Sequence, residues 1–155
     1  MDTESFKVLE YEKITNGLAS FASSVRGKER CRSVTPSGDY EEVVRLHAET
    51  REAVQIRQLQ PPPFGGIYDL RTILKKATMG SVLDIDELRS VMSTMGGMRN
   101  VKYFFRDLTL ETPLLKDMAR PIEILGTLER HLKDTVDEHG NFREDASPEL
   151  RRITR

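Results

Sequence analysis

The longest periodic apolar stretch of the sequence lies between Asp84 and Asp107, and it constrains the fold more than any other feature. Apolar side chains recur there every three or four residues, the spacing of one helix face: Leu88, Val91, Met95, Met98 and Phe105, widened by Met92, Val101 and Phe104. The stretch predicts one long helix. Gly96 and Gly97 in its middle cost about 2 kcal/mol relative to two alanines, so we expect a close backbone approach or a bend there.

Similar patterns predict helices before this stretch. Residues ~8–22 have an amphipathic pattern whose predicted buried stripe is Tyr11, Ile14, Leu18 and Phe21. A basic segment, Ser24–Ser33, follows and ends at Thr35-Pro36. Asp39 is placed to cap a long helix that reaches Gln60 and buries Val43, Leu46, Ala53 and Ile56. Asp69 is placed to cap a short helix that ends at Gly80.

Breaks and later helices complete the pattern. Residues 60–66, Gln-Pro-Pro-Pro-Phe-Gly-Gly, predict a connector, because proline lacks the amide donor and glycine permits positive φ. Thr112-Pro113 predicts a short helix through Met118 that stops at Pro121. A helix of about 13 residues should then be closed by His139-Gly140, its apolar positions being Leu125, Leu128, Leu132 and Val136.

The sequence predicts an all-α fold, an irregular bundle of about seven helices in a single domain over residues 1–155. Ser147-Pro148-Glu149-Leu150 has the form of a strong helix start close to the last residue, Arg155. The alternatives are a short surface helix at the C-terminus and a helix that continues in a longer protein, and we favour the second for residues 148–155.

Composition excludes several classes of protein. The chain has 24 Lys+Arg against 25 Asp+Glu, a net charge of -1, which argues against a wholly basic protein that coats nucleic acid. The single Cys31 and the lack of zinc-type spacing suit a reducing compartment, so we expect a cytoplasmic location. No apolar run approaches 18 residues, and the N-terminus lacks the pattern of a signal peptide, so neither membrane nor export is expected.

Candidate catalytic groups are few. Gly27-Lys28 lacks the upstream glycine and the following Ser or Thr of a phosphate-binding loop. The carboxylates of Asp84, Asp86 and Glu87 are more typical of a capped helix start than of a cation site. Asp137, Glu138 and His139 lack further spaced ligands. We predict that the chain has no catalytic, cofactor-binding or metal-binding residue.

Basic clusters are the better functional candidates, because Lys and Arg can contact phosphates without reading sequence. Solvated helix faces have the same composition, so each cluster is a candidate for either role. The candidate contacts are Arg26, Lys28, Arg30, Arg32, Arg71, Lys75, Lys76, Arg99, Lys102, Arg106, Arg151, Arg152 and Arg155. Tyr103, Phe104 and Phe105 could form a stacking platform for single strands, although their position on the apolar stripe favours a core role for at least two of the rings.

Several motifs resemble the N-terminal region of the second bacterial MutS family, the MutS-like ATPases with a C-terminal Smr nuclease domain. The resemblance extends from about residue 8 to Arg155. The motifs are Leu9-Glu10-Tyr11-Glu12-Lys13-Ile14, Gly27-Lys28-Glu29-Arg30, Thr35-Pro36-Ser37, Pro63-Phe64-Gly65-Gly66-Ile67-Tyr68-Asp69-Leu70-Arg71 and Ala146-Ser147-Pro148-Glu149-Leu150-Arg151-Arg152-Ile153.

The resemblance implies a helical core and lever region that precedes a clamp, an ATPase domain and the Smr domain. It implies that residues ~148–155 begin a lever helix, and that the catalytic residues, with ATP and Mg, belong to later parts of the parent protein. It also implies dimers that act on branched DNA, suppressing homologous recombination, or on collided ribosomes. This chain would couple the nucleotide state to clamp movement.

Two other functions remain open from the sequence. One is an independent helical adaptor that binds a protein partner through an exposed surface of Met92, Met95 and Met98. The other is a freestanding nucleic-acid-binding module. If the chain lacks its packing partners, apolar faces such as Leu150 and Ile153, with part of the methionine stripe, should be partly bare and favour self-association.

Overall fold

The computed structural model describes residues 3–137 and 141–143, and within them it is all-α, as the sequence predicts. The backbone there contains no strand, and its β-type pairing is one antiparallel bridge between Val136 and Phe142. The helices are α1 Thr3–Val8, α2 Tyr11–Ser20, α3 Val25–Arg32, α4 Tyr40–Leu59, α5 Arg71–Thr78, α6 Ile85–Asp107, α7 Pro113–Ala119 and α8 Gly126–Thr135. The helix expected to begin near Ser147 lies outside the described residues.

The chain divides into two units. The first contains Met1–Gly65 and Val101–Pro121, and its buried residues include Ala19, Ile56 and Phe105. The second contains Gly66–Asn100 and Ile122–Arg155, and its buried residues include Met95 and Val136. Helix α6 contributes its first 16 residues to the second unit and its last seven to the first.

The predicted helix over residues ~8–22 is two helices. Glu10 adopts the left-handed conformation, with φ 49° and ψ 36°, and this ends α1 and starts α2. The predicted buried stripe of α2 is also wrong. Thr15 and Ala19 are the buried residues, since they face α3, whereas Ile14, Leu18 and Phe21 are exposed.

The basic segment after α2 is itself helical. It forms α3. Ser24 caps the start of this helix, because the Ser24 Oγ accepts a hydrogen bond from the Gly27 amide at 3.0 Å. About seven helices were expected, and six of them fall on the described residues. The additional helices α1 and α3 raise that number to the eight that these residues form.

Local caps fix the ends of α4, α5 and α6. Asp39 accepts from the amides of Glu41 and Glu42 at the start of α4, as predicted. Gly80, at φ 73°, ends α5 in a Schellman motif in which the Ser81 amide donates to the Lys76 carbonyl at 3.2 Å. The predicted cap at Asp69 differs, since Leu70 is the N-cap of α5 and Asp69 accepts from the Arg71 amide.

Helix α8 is shorter than predicted. It ends at Thr135, because Val136 is extended at φ -118° and pairs with Phe142. The Asp137 amide donates to the Asn141 carbonyl, and the Arg143 amide donates to the Thr135 carbonyl, each at 2.9 Å. These hydrogen bonds satisfy the backbone that a longer helix would have used.

Candidate nucleic-acid interface

Four cationic side chains from α6 and α7 surround a small cavity of about 200 Å³, here named the α6–α7 basic pocket. Lys102 and Arg106 come from α6, Lys116 comes from α7, and Arg120 is the residue that caps the end of α7. Each pair is spaced four residues apart, so both members lie on one face of their helix. Phe105 and Ala119 also line the cavity, and both are largely buried. The pocket therefore combines an apolar lining with four positive charges.

The charges of the pocket are only partly balanced. The Arg106 guanidinium donates to the Asp107 carboxylate at 2.6 and 2.8 Å, and this hydrogen bond raises the pKa of Arg106 and lowers the pKa of Asp107. Arg120 pairs with Asp117 at 2.6 Å. No carboxylate in the described part of the chain lies within ion-pair distance of Lys116. Lys116 therefore adds a positive charge that no described carboxylate balances, which suits an anionic ligand.

The position of α7, and so of Lys116, depends on a contact from α4. Thr112 begins α7 with Pro113 at the first helical position, but the Thr112 side chain does not cap the helix. The Glu52 carboxylate accepts instead from the Leu114 amide at 3.2 Å and the Leu115 amide at 2.9 Å. A carboxylate at this end is also favoured by the helix dipole.

The aromatic triplet of α6 is not a stacking platform. Phe105 is 8% exposed and packs edge-on against the half-buried Phe104, with 5.3 Å between ring centroids. Tyr103 is 39% exposed, and the Arg106 guanidinium lies 4.3 Å from its ring centroid. Two of the three rings are therefore covered by the protein, which agrees with the core role that the sequence favoured.

The candidate residues of α3 are mostly at the surface. Lys28 and Arg30 are exposed, and Arg26 is 3.3 Å from Glu29 in an exposed ion pair. The Arg32 Nε donates to the Asn16 Oδ1 at 3.1 Å. Exposed pairs of this kind contribute little stability, so these side chains remain accessible to a ligand.

The candidates of α5 and the middle of α6 are engaged in structural contacts. Asp69 holds Arg71 through two carboxylate oxygens, and Glu87 holds Lys76 at 2.7 Å. Arg99 pairs with Glu129, whose side chain is 9% exposed. Lys75 is exposed. Arg151, Arg152 and Arg155 lie outside the described residues, and a nucleic-acid role for the whole set stays a prediction.

Lys116 and Arg120 are the pocket residues that sequence reasoning missed. Their four-residue spacing on a Pro-initiated helix was readable, but nothing in the sequence placed α7 beside the end of α6. The convergence of the two basic pairs is a tertiary feature.

The acidic candidates have local structural roles. Asp84 and Glu87 form a capping box, in which the Asp84 Oδ1 accepts from the Glu87 amide at 2.9 Å and the Glu87 Oε2 accepts from the Asp84 amide at 2.8 Å. The Asp137 carboxylate accepts from the Asn141 amide at 2.8 Å. Glu138 and His139 lie outside the described residues. Within residues 3–137 and 141–143, no three His, Cys, Asp or Glu side chains form a group that could hold a metal ion.

The methionine surface needed by an adaptor is not exposed. Met95 is 8% exposed, and Met92 and Met98 are half-buried. None of the helices in the described part of the chain is long and apolar enough to cross a membrane.

The helical architecture defines the class of the chain as an irregular all-α protein, and comparison with curated proteins defines its family. No protein-family model matches it. Its relatives named Endonuclease MutS2 include proteins from Halalkalibacterium halodurans, 38% identical over 152 residues, and Pelotomaculum thermopropionicum, 34% identical over 156 residues. These alignments cover 95% and 100% of this chain but only 19% and 20% of the relatives.

A third relative of the same name, from Bacillus thuringiensis, is 34% identical over 153 residues, which cover 96% of this chain and 20% of the relative. The chain belongs to the MutS2 family, as the sequence motifs indicated. It spans about a fifth of the length of these relatives.

Proposed function

We propose that the chain is the non-catalytic helical core and lever region of a MutS2 endonuclease. The observation that carries the proposal is the identity of 34–38% along nearly the whole chain to proteins of that name, of which the chain spans about a fifth. The parent protein would use ATP and Mg, and its nucleotide-binding and nuclease residues would lie in other parts of the polypeptide.

In this proposal the chain transmits movement. Helices α4 and α6 have 20 and 23 residues, so at 1.5 Å per residue each is roughly 30–35 Å long. Rods of this length can carry a displacement between an ATPase site and a clamp. The partners would be the rest of the polypeptide and, through a cytoplasmic dimer, branched DNA or collided ribosomes. The parent would thereby suppress recombination or rescue ribosomes.

The α6–α7 basic pocket would contribute a phosphate contact to this substrate. It offers an excess of positive charge next to an apolar lining, and it has no feature that reads base edges. We expect the contact to be independent of sequence and to weaken with salt.

The pocket is tested by binding of the chain to a branched DNA duplex at several salt concentrations. Arg120→Ala and Lys116→Ala should each weaken binding and reduce the salt slope by about one. Arg57→Ala on α4 is the matched control for Arg120→Ala, because Arg57 is exposed and outside the basic clusters. Equal affinities for Arg120→Ala and Arg57→Ala would contradict the pocket's role.

The lever role is tested in a MutS2 endonuclease that contains this sequence. Gly96→Pro should break α6, since proline in a helix interior costs about 3 kcal/mol, and should abolish the effect of nucleic acid on ATP turnover while basal turnover persists. Gly96→Ala is the matched control and should retain coupling.

Catalysis belongs to other parts of the parent protein in this proposal, so the isolated chain should neither hydrolyse ATP nor cleave DNA. Turnover by the chain that disappears when one of its own residues is replaced would refute it.

A further inference from the structure

A second cavity, of about 480 Å³, is formed by α1, α2 and the end of α3. It is separate from the α6–α7 basic pocket and shares no residue with it. Its volume falls in the range of small-molecule sites, roughly 300–1,000 Å³. The side chains that matter are two aromatic rings, Phe6 and Tyr11, and two cations, Lys7 and Arg32, with the buried Thr15 between the helices.

The aromatic wall is produced by an unusual turn. Glu10 is in the left-handed conformation without being glycine, a backbone state that costs of order 1 kcal/mol or more and is concentrated at functional sites. The turn separates α1 from α2, and across it the Phe6 and Tyr11 ring centroids lie 5.1 Å apart at an interplanar angle of 45°. Both residues are half-buried and line the cavity.

The charges around the cavity favour an anion. Lys13 is neutralised by Glu10 at 2.6 Å, and Glu12 is the other carboxylate of the lining. Arg32 donates its Nε to Asn16, and its terminal guanidinium nitrogens have no hydrogen-bond or ion-pair partner in the described part of the chain. Lys7 likewise has no carboxylate within ion-pair distance there. The lining therefore has two cations available to a ligand, Arg32 and Lys7, and one carboxylate outside the Lys13–Glu10 pair, that of Glu12.

We propose that this cavity binds an unpaired nucleotide, with its base against Phe6 and Tyr11 and its phosphate on Arg32 and Lys7. A planar base matches an aromatic wall, and stacking on aromatic side chains is tolerant of base identity. A base-paired duplex hides the base faces, so paired DNA is not the ligand of this site. The function proposed above does not require this cavity, and either proposal can fail alone.

The nucleotide belongs to a single strand rather than to a free mononucleotide. Lys28 and Arg30 are exposed on the same short helix as Arg32 and extend positive charge beyond the cavity, where neighbouring phosphates of a strand would lie. A mononucleotide has no phosphate to place there. The single strand should consequently bind more tightly than its monomer and show a steeper dependence on salt.

The test uses the 155-residue chain and a fluorescein-labelled ten-nucleotide thymidine oligomer, with anisotropy measured at several salt concentrations. Tyr11→Ala should weaken binding about tenfold or more, whereas Tyr11→Phe should stay within about twofold, since stacking survives. Arg32→Ala should weaken binding and lower the salt slope by about one. The matched controls Tyr40→Ala and Arg51→Ala change exposed residues outside the cavity and should have no effect.

Competition separates the sources of the nucleotide. Unlabelled single strand should displace the probe, and a blunt duplex of the same length should not. Thymidine monophosphate that competes as well as the strand would overturn the single-strand assignment. Equal affinities for wild type, Tyr11→Ala and Arg32→Ala would overturn the site itself.

A loss of folding in Tyr11→Ala is checked by circular dichroism, and the wild-type chain gives an independent readout. On titration with the oligomer, the amide resonances of Phe6, Thr15 and Val34 should shift. If these resonances do not move while the oligomer binds, the site is refuted. Weaker duplex binding by Arg120→Ala with unchanged oligomer binding by Tyr11→Ala would refute this cavity and leave the proposed function standing.

Discussion

Glu129 is the single buried charged residue within residues 6–137 and 141–143. Its carboxylate accepts from the Arg99 guanidinium, and Lys133 lies 3.0 Å from it. The hydrogen bond from Arg99, followed by that from Lys133, lowers the pKa of Glu129 below its usual value. A buried carboxylate is stable here because two cations replace the water that it loses.

Replacing Glu129 should test this ion pair through its pH dependence. Glu129→Gln should lower the free energy of unfolding by about 2–3 kcal/mol at pH 7, because the partly buried Arg99 loses the opposite charge of Glu129. The folded pKa is depressed, so the stabilisation is present above the unfolded pKa of about 4.3 and is lost as pH falls through the folded value. Urea unfolding at pH 7 and at pH 3 should show a smaller difference between wild type and variant at pH 3.

Glu123→Gln is the matched control for this experiment, because Glu123 is exposed and precedes α8. It should change the free energy of unfolding by less than about 0.5 kcal/mol. A Glu129→Gln effect that is equally large at pH 3 and pH 7 would show that packing, and not the ion pair, is responsible.

Glu52 is a second residue whose role depends on a distant contact. Glu52→Ala should destabilise the chain by about 1–2 kcal/mol, since the amides of Leu114 and Leu115 lose their acceptor. Glu52→Gln keeps one acceptor oxygen and should lose about half as much. Thermal unfolding of both variants measures the difference, and equal losses for the two would argue that the charge alone matters.

Neither residue could be assigned from the sequence. Glu129 lies within a helix whose apolar pattern predicts Leu125 and Leu128 as buried, yet both are 46% exposed. Glu52 is 62 residues from Leu114, and no local spacing links them. Such contacts form only when helices far apart in sequence pack together, so they lie beyond a reading of periodicity and caps.

At the scale of elements, local signals were predictive at several helix ends and at the proline connector. Asp39 begins α4, Gly80 ends α5 and the prolines of residues 61–63 form a non-helical connector, all as expected. The turn at Glu10 was missed, because a left-handed residue other than glycine has no sequence signature. The buried face of α2 was missed because small residues, Thr15 and Ala19, admit α3 more closely than the large apolar ones would.

The effect of the glycine pair on α6 is a second question about this element. The helix runs unbroken from Ile85 to Asp107, so Gly96 and Gly97 do not end it. A Cβ built on Gly96 would come no closer than 3.9 Å to its nearest neighbour, an Arg99 guanidinium nitrogen. Close approach of another backbone therefore does not explain Gly96.

Gly96→Ala should stabilise the chain by about 1 kcal/mol, because alanine is the better helix former and the space is open. Gly66→Ala should destabilise it, because Gly66 has φ 75° and its Cβ would lie 2.9 Å from the Ser93 Oγ. In chemical denaturation, the unfolding midpoint should move to higher denaturant concentration for Gly96→Ala and to lower concentration for Gly66→Ala. A destabilising Gly96→Ala would contradict the open space at this position.

At the scale of the whole chain, apolar surface is exposed where the sequence did not predict it. Leu150 and Ile153 lie outside the described residues, and the methionine stripe is half-buried or buried. The exposed apolar side chains of the first unit include four from α2, α3 and the turn between them: Ile14, Leu18, Phe21 and Val25, at 63%, 48%, 84% and 51% exposure. The relatives are about five times as long as this chain, and if it is part of a protein of that length, we expect the added polypeptide to cover this surface.

The isolated chain should consequently associate with a second copy through the surface of Ile14, Leu18, Phe21 and Val25. Sedimentation equilibrium should show a mass that rises with concentration, and Val25→Ser should weaken the association roughly fivefold as half-buried apolar area is lost. Val82→Ser is the matched control. Val82 is 88% exposed, more than Val25, but lies in the second unit, so a general effect of exposed valine would make it the more damaging change. A monomer at all concentrations, or equal effects of the two substitutions, would contradict association through this surface.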